Sequence, residues 1–208
     1  MISTSQAGQD QFVYELLGHK TNGTYLEIGA GPAKEFNNTY SLECLGWHGL
    51  SIDKDAAFSP QYAAERKNPF LVADVLVLYW DRVILEHKFL QTTVDYLSFD
   101  VDEATLPALK RFPFNKIRFK VATVEHDFYR CGDAIRQSMR AILKAAGYQI
   151  VCADVKVYGV MFEDWWVNPK YIAPKLLKKC KCEEQAWEVI LAMFTDERKE
   201  NVNELKKT

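Results

Sequence analysis

The sequence predicts an α/β fold with a mostly parallel sheet covered by helices on both faces. Two observations carry this. Short apolar, strand-like runs alternate with helical stretches along the chain, as repeated strand–helix–strand units require. Acids also recur at or just after strand ends: Glu27, Asp53, Asp74, Asp100 and Glu125. Right-handed crossovers carry such ends to one edge of a parallel sheet. The recurrence therefore predicts a carboxylate-lined crevice at that edge.

The elements follow in order. Ala7 to Leu17 places Phe12, Val13, Leu16 and Leu17 on one helical face. Asn22-Gly23 breaks it, a strong turn signal. Thr24–Ile28 is the first strand and runs into the small-residue turn Gly29-Ala30-Gly31-Pro32. Asn38 to Leu45 forms the first crossover helix, and Gly49–Ile52 the second strand, ending at Asp53. Residues 56–68 form a loop or helix, and a short strand at Phe70–Val72 leads to Asp74. The stretch 75–93 has no clear period. Asp95–Phe99 and Ile117–Val124 are strands four and five, with a brief helix at Leu106–Arg111 between them. Asp133 to Ala146 is an amphipathic helix capped by Asp133 and ended by Gly147. Tyr148–Ala153 and Val157–Phe162 complete the sheet as an antiparallel pair, and a charged amphipathic helix runs from Glu183 to about Leu205.

The 208 residues suit one domain spanning 1–208, with the N-terminal helix inside 1–20. Hydrophobic residues make up 48% of the chain, too many for disorder. A net charge of −2 argues against a nucleic-acid partner, which needs a basic footprint. There is no apolar run of membrane length, and Met1–Gln6 lacks the pattern of a secretory leader. Five scattered cysteines fit reduced thiols better than a disulfide framework. A cytoplasmic protein, monomer or homodimer, is the expectation.

Asp53 stands at the spacing from the glycine turn that places a carboxylate on a ribose. A dinucleotide site needs a third glycine where Lys34 stands, and Pro32 also departs from that pattern. A ligand with a cationic amino-acid part and a free ribose fits better, and S-adenosylmethionine has both. On this reading Glu27 meets the ammonium, Asp53 accepts from the ribose hydroxyls, and Asp74 bonds the adenine amine. Gly29, Ala30 and Gly31 give backbone access, and Asn38 and Thr39 meet the cofactor carboxylate at a helix start.

Further blocks add a resemblance. They are Ser5–Asp10, Asn22–Ala30, Asn38–Glu43, Leu45–Leu50, Asp95–Asp102, Val124–Asp127, Gly147-Tyr148 and Phe162–Val167. In this order and spacing the chain resembles the FkbM family of S-adenosylmethionine-dependent methyltransferases over roughly residues 5 to 172. The resemblance implies a Rossmann-like class I methyltransferase fold with a seven-stranded sheet, and O-methylation of a hydroxyl on a small polar metabolite or glycan. The family's usual Asp-x-Glu-Gly-x-Glu stretch is here Asp100-Val101-Asp102-Glu103-Ala104-Thr105, a different turn with a similar acid count.

A hydroxyl acceptor needs a base in reach or a metal that lowers its pKa. His126, after the fifth strand, is the first candidate base, oriented by Glu125 or Asp127. The alternative is a polar strand cap. Asp100 and Asp102 form a second constellation, acting on cofactor and substrate. With Glu125 they are also the set that Mg²⁺ would choose, although the metal-free version is preferred because no ligand spacing supports the ion. Glu125, Asp127 and Trp165 are the substrate-side candidates. Glu43, His48, Arg66 and Arg130 rank no higher than surface residues. Two rival functions stay open: an NAD-dependent oxidoreductase, disfavoured by the broken glycine pattern, and a non-catalytic nucleoside-binding interaction protein.

Overall fold

The computed structural model describes residues 2–194. Helix α1 spans Gln9–Leu16, followed by β1 (Thr24–Ile28), α2 (Tyr40–Cys44) and β2 (His48–Asp53). A 3-10 turn at Ala56–Phe58 leads into α3 (Ser59–Glu65), then β3 (Phe70–Val72). The unpatterned stretch folds as α4 (Trp80–Glu86) and a 3-10 turn at Lys88–Gln91. After them come β4 (Thr93–Phe99), α5 (Thr105–Arg111), β5 (Arg118–Glu125), α6 (Phe128–Cys131) and α7 (Asp133–Ala145). The chain continues through β6 (Gln149–Val157), β7 (Val160–Val167), α8 (Pro174–Cys180) and β8 (Cys182–Glu183).

The strands form one eight-stranded sheet in the order β3-β2-β1-β4-β5-β7-β6-β8. The first five pair in parallel, and β7 runs antiparallel to both β5 and β6. The expected seven strands are present. The eighth is the two-residue β8, which pairs parallel with β6 through Cys152 and Cys182. It replaces the start of the expected terminal helix, whose helical residues begin at 187. Residues 195–205 of that helix lie outside the described residues.

The β6–β7 hairpin turns on Tyr158 and Gly159, with φ of 50° and 80°, the left-handed pair a tight two-residue turn requires. This places the turn where the sequence suggested strand and carries β7 through Trp165 and Trp166. Helix α7 follows Gly132 directly, so Asp133 sits in the first turn instead of at the cap.

Strand side chains alternate between faces, and the two faces build two cores. Leu26, Ile28, Leu97, Phe99, Val124 and Trp166 pack with Val83 of α4, Leu109 of α5 and Met139 of α7. Tyr25, Tyr96, Val121 and Trp165 pack with Phe12 of α1, Leu42 of α2 and Ile190. Among the described residues no helix is long and apolar enough to cross a membrane.

Candidate functional site

A cleft of about 490 Å³ opens at the carboxyl ends of the parallel strands, within the range of small-molecule sites. Gly29 and Gly31 form its floor after β1. Asp53 and Lys54 follow β2, Asp74 follows β3, Asp100 and Asp102 follow β4, and Glu125 ends β5. Phe58, Val75, Leu76 and Val101 add apolar wall, and Gln6, Tyr129 and Phe162 line the rest.

The glycine turn is fixed by close packing. Gly29 has φ of +78°, and a Cβ there would stand 1.4 Å from the Asp100 carbonyl oxygen. Only glycine fits this contact between the ends of β1 and β4. Gly31 also has a positive φ, +59°, but a Cβ there would meet nothing within 4 Å. Its amide donates to Asp53 Oδ2 at 2.9 Å, while Asp53 Oδ1 accepts from the Asp55 amide at 2.9 Å. Each oxygen keeps acceptor capacity beyond these bonds. Asp74 Oδ1 likewise accepts from the Leu76 amide at 2.9 Å.

Beneath the turn lies a buried polar network. Glu27, on the same face of β1 as Tyr25, is 2% exposed. Its Oε2 accepts from Thr39 Oγ1 (2.8 Å), Ser51 Oγ (2.7 Å) and Asn37 Nδ2 (3.3 Å). Burial raises its pKa against the pull of Arg66 and these donors. Arg66 donates to the Glu43 carboxylate, the Ala33 carbonyl, Tyr25 and Thr39. Glu27 and Thr39 thus hold the loop from below and do not line the cleft, contrary to the expected ammonium and carboxylate contacts. Ala30 packs against Ala33 and Tyr62 instead of facing the cleft. Asn38 turns to Ser98 Oγ at 2.9 Å. The side chain that caps α2 is Asn37, whose Oδ1 accepts from the Thr39 and Tyr40 amides. It stands one residue before the asparagine singled out by sequence, and an Asn-Asn pair cannot reveal which member turns inward.

His126 also leaves the cleft. Alternation along β5 sends Glu125 to the Asp100 side and His126 to the opposite face, under α7. It is 1% exposed. Nδ1 accepts from the Phe128 amide at 3.2 Å, and Nε2 lies 3.3 Å from Asp154 and 3.7 Å from Asp164. Burial lowers its pKa, with the two aspartates opposing. Both aspartates are ion-paired: Arg136 with Asp154 at 2.6 Å, and Arg140 with Asp164 at 2.7 Å. His126 is therefore a buried strand-end group, not a base facing the crevice.

Trp165 is fully buried, stacked on Phe12 with ring centroids 4.2 Å apart. Its Nε1 donates to Glu163 at 2.6 Å, so it offers no platform to a substrate. Glu43 and Arg66 form the buried pair under the loop. His48 sits edge-on to Phe89. Arg130 bridges Asp102 and Glu103 at the rim of the cleft.

Asp100 and Glu125 do meet. The register pairs Phe99 with Val124, so the next residues are neighbours at the sheet edge. Burial raises the pKa of both, and the adjacent carboxyls Asp100 and Asp127 push Glu125 up further. Asp127 is 1% exposed behind Glu125. Sequence reasoning missed Phe58, Tyr129 and Val101 as cleft residues. None carries a motif, and each arrives through a loop or a short helix.

No family model matches the chain, and no curated protein matches it in sequence. Solved structures match its fold. Fibrillarin, a pre-rRNA processing protein from Methanococcus jannaschii, aligns with a TM-score of 0.52 at 14% identity, over 71% of this chain and 67% of its own. An O-methyltransferase from Bacillus cereus in complex with S-adenosylhomocysteine aligns with a TM-score of 0.50 at 14% identity, over 80% of each chain. The magnesium protoporphyrin IX methyltransferase of Synechocystis, with S-adenosylmethionine bound, gives 0.50 at 12% identity over 77% of each. The chain therefore has the Rossmann-like α/β fold of these methyltransferases.

Proposed function

We propose that this chain is an S-adenosylmethionine-dependent methyltransferase of the FkbM kind that methylates a hydroxyl of a small polar metabolite or glycan. The observation that carries the reading is the cleft, where the glycine turn, Asp53, Asp74 and Asp100 converge on one edge of the sheet. The residues fit the cofactor. Asp53 keeps acceptor capacity for ribose hydroxyls beyond its two backbone donors. Phe58, Val75 and Leu76 offer apolar surface beside Asp74, as a purine with an exocyclic amine requires. The Gly31 position leaves room that a side chain would fill. An acid-rich lining also suits a ligand that bears a sulfonium and an ammonium.

When bound, S-adenosylmethionine supplies the electrophilic methyl carbon. The chain's residues then align the acceptor and manage its proton. Asp100 and Glu125 replace His126 as the base in this proposal. Two adjacent buried carboxyls share protons, and the ionised member takes the proton of the acceptor hydroxyl. Asp102 holds Arg130 at the rim, and Tyr129 and Phe162 line the reacting side. We favour the metal-free version of the reaction over one with Mg²⁺, in a cytoplasmic monomer or homodimer acting on a small-molecule or glycan acceptor, with no nucleic-acid or membrane partner.

Titration calorimetry with S-adenosylmethionine, S-adenosylhomocysteine and NAD⁺ tests the cofactor. We expect heat with the first two and none with NAD⁺. Transfer of label from methyl-labelled S-adenosylmethionine to hydroxylated acceptors then tests the reaction.

A further inference from the structure

Away from the cleft, Cys152, Cys180 and Cys182 gather where the chain rejoins the sheet after α8. Cys152 of β6 and Cys182 of β8 are direct partners in the parallel register, so their side chains leave the sheet on the same face. Paired strands lie about 4.8 Å apart, within the roughly 4.4–6.8 Å between Cα atoms that a disulfide spans. The two thiols are already in contact: a hydrogen bond from Cys152 lowers the pKa of Cys182, against its partial burial. Cys152 is fully buried, and its thiol also reaches the Cys180 carbonyl at 3.1 Å. Cys182 is half-buried. It opens on a second cavity of about 770 Å³ between α7, β6 and β8, lined also by Arg140, Lys144, Lys181 and the acid Glu183. A donated hydrogen bond and a cationic setting both favour the thiolate, the form that reacts with oxidants.

The contact stands at a structural joint. Strand β8 has only two residues. Beyond it the Glu184 amide donates to the Ala153 carbonyl at 2.9 Å, and the Lys156 amide to the Gln185 carbonyl at 2.8 Å. Trp187 then packs on Ala7, Val157 and Phe162, beside Gln6 and Phe162 of the cleft wall. A bond between Cys152 and Cys182 would fix this brace to the sheet.

We propose that Cys182 is a peroxide-reactive thiol, that Cys152 resolves it into a disulfide, and that this bond fastens the segment after β8 to the sheet. The Cys182 thiolate attacks one oxygen of hydrogen peroxide. The O–O bond breaks, and the departing hydroxide takes up a proton to become water. Cys182 is left as a sulfenic acid. The Cys152 sulfur attacks it, the S–S bond forms and the S–O bond breaks, and the oxygen leaves with the Cys152 proton as a second water. The two thiols lose two electrons in all, and one peroxide is reduced to two waters. A zinc site fits less well, since it needs about four ligands on one point. Among the described residues the group that converges is His126, Asp154 and Asp164, not the cysteines.

The test is brief treatment of the reduced, folded full chain with hydrogen peroxide. Remaining thiols are then blocked with N-ethylmaleimide in denaturant, and unreduced peptides are mapped by mass spectrometry. We expect a peptide pair joined through Cys152 and Cys182, two fewer reactive thiols per chain, and reversal by dithiothreitol. The exposed Cys44 serves as the internal control and should stay reduced at the same dose. In Cys152→Ala the disulfide should be absent and dimedone should label Cys182 as the trapped sulfenic acid. Cys182→Ser, a change at a half-buried site, should keep Cys152 reduced. The oxidised parent should unfold at higher urea than the reduced parent, and this shift should vanish in Cys182→Ser. Oxidation of Cys44 ahead of Cys182 overturns the proposal, as does a disulfide joining Cys180 to Cys182. Absence of any disulfide, or the same urea midpoint for the oxidised and reduced parent, overturns it too.

Discussion

The Gly31 amide donates to the Asp53 carboxylate at 2.9 Å, tying the turn after β1 to the end of β2. The bond orients Asp53 toward the cleft and fixes the turn with the same contact. Cofactor affinity and loop geometry are therefore coupled through one side chain.

The two glycines of the turn should behave differently. In Gly29→Ala the new Cβ collides with the Asp100 carbonyl, a clash that only backbone displacement relieves. We expect loss of stable folding, or a deficit above about 3 kcal/mol in urea unfolding. Gly31→Ala meets no atom and bears only the left-handed strain of about 1–2 kcal/mol. It should fold and lose affinity for S-adenosylhomocysteine. Equal stability loss in both variants would contradict the contact.

Glu27 distinguishes support from direct binding. Glu27→Ala removes the shared acceptor of Thr39, Ser51 and Asn37, and leaves Arg66 without its nearby buried carboxylate. Breaking such a buried charged network costs about 3–5 kcal/mol. Urea unfolding should show that loss. A variant as stable as the parent, yet unable to bind S-adenosylhomocysteine, would instead put Glu27 in contact with the ligand.

The raised pKa of Glu125, pushed up by burial and by its neighbours Asp100 and Asp127, gives stability a sign with pH. The folded carboxyl stays protonated while the unfolded one ionises above the ordinary glutamate value. The folded state therefore binds more protons as pH rises, and stability falls. One proton gives a slope of up to about 1.4 kcal/mol per pH unit. Glu125→Gln should flatten the decline between neutral and mildly alkaline pH, measured by urea unfolding across that range. An unchanged slope would remove Glu125 from the pair.

His126→Ala removes the acceptor for the Phe128 amide and a buried ring. We expect about 2–4 kcal/mol of lost stability. Methyl transfer per folded molecule should stay near the parent value. A collapse of turnover in a well-folded variant would restore His126 as the base.

Asp53, Asp74, Asp100 and Glu125 were legible as one edge of a sheet, because strand ends in a right-handed parallel array must share it. The parity of side chains was the harder part. Glu27 lies one residue before the end of β1, so it points into the layer below the turn. His126 lies one residue past Glu125, so it points to the other face. Trp165 looked like a lid because the hairpin turn was placed too early, which ended the last strand at Phe162. Moving the turn to Tyr158-Gly159 puts it in mid-strand. Asn37 and Tyr129 had no periodic signal, since loops and a four-residue helix carry them.

The central claim is that the cleft between Gly31 and Asp53 is an S-adenosyl site. Titration calorimetry of S-adenosylhomocysteine into the parent chain and into Asp53→Ala tests it most directly. Loss of charge-assisted bonds to the ribose should weaken binding by roughly 10- to 100-fold, with NAD⁺ giving no heat in either protein. No binding by the parent chain, or equal affinity in both proteins, would contradict the account.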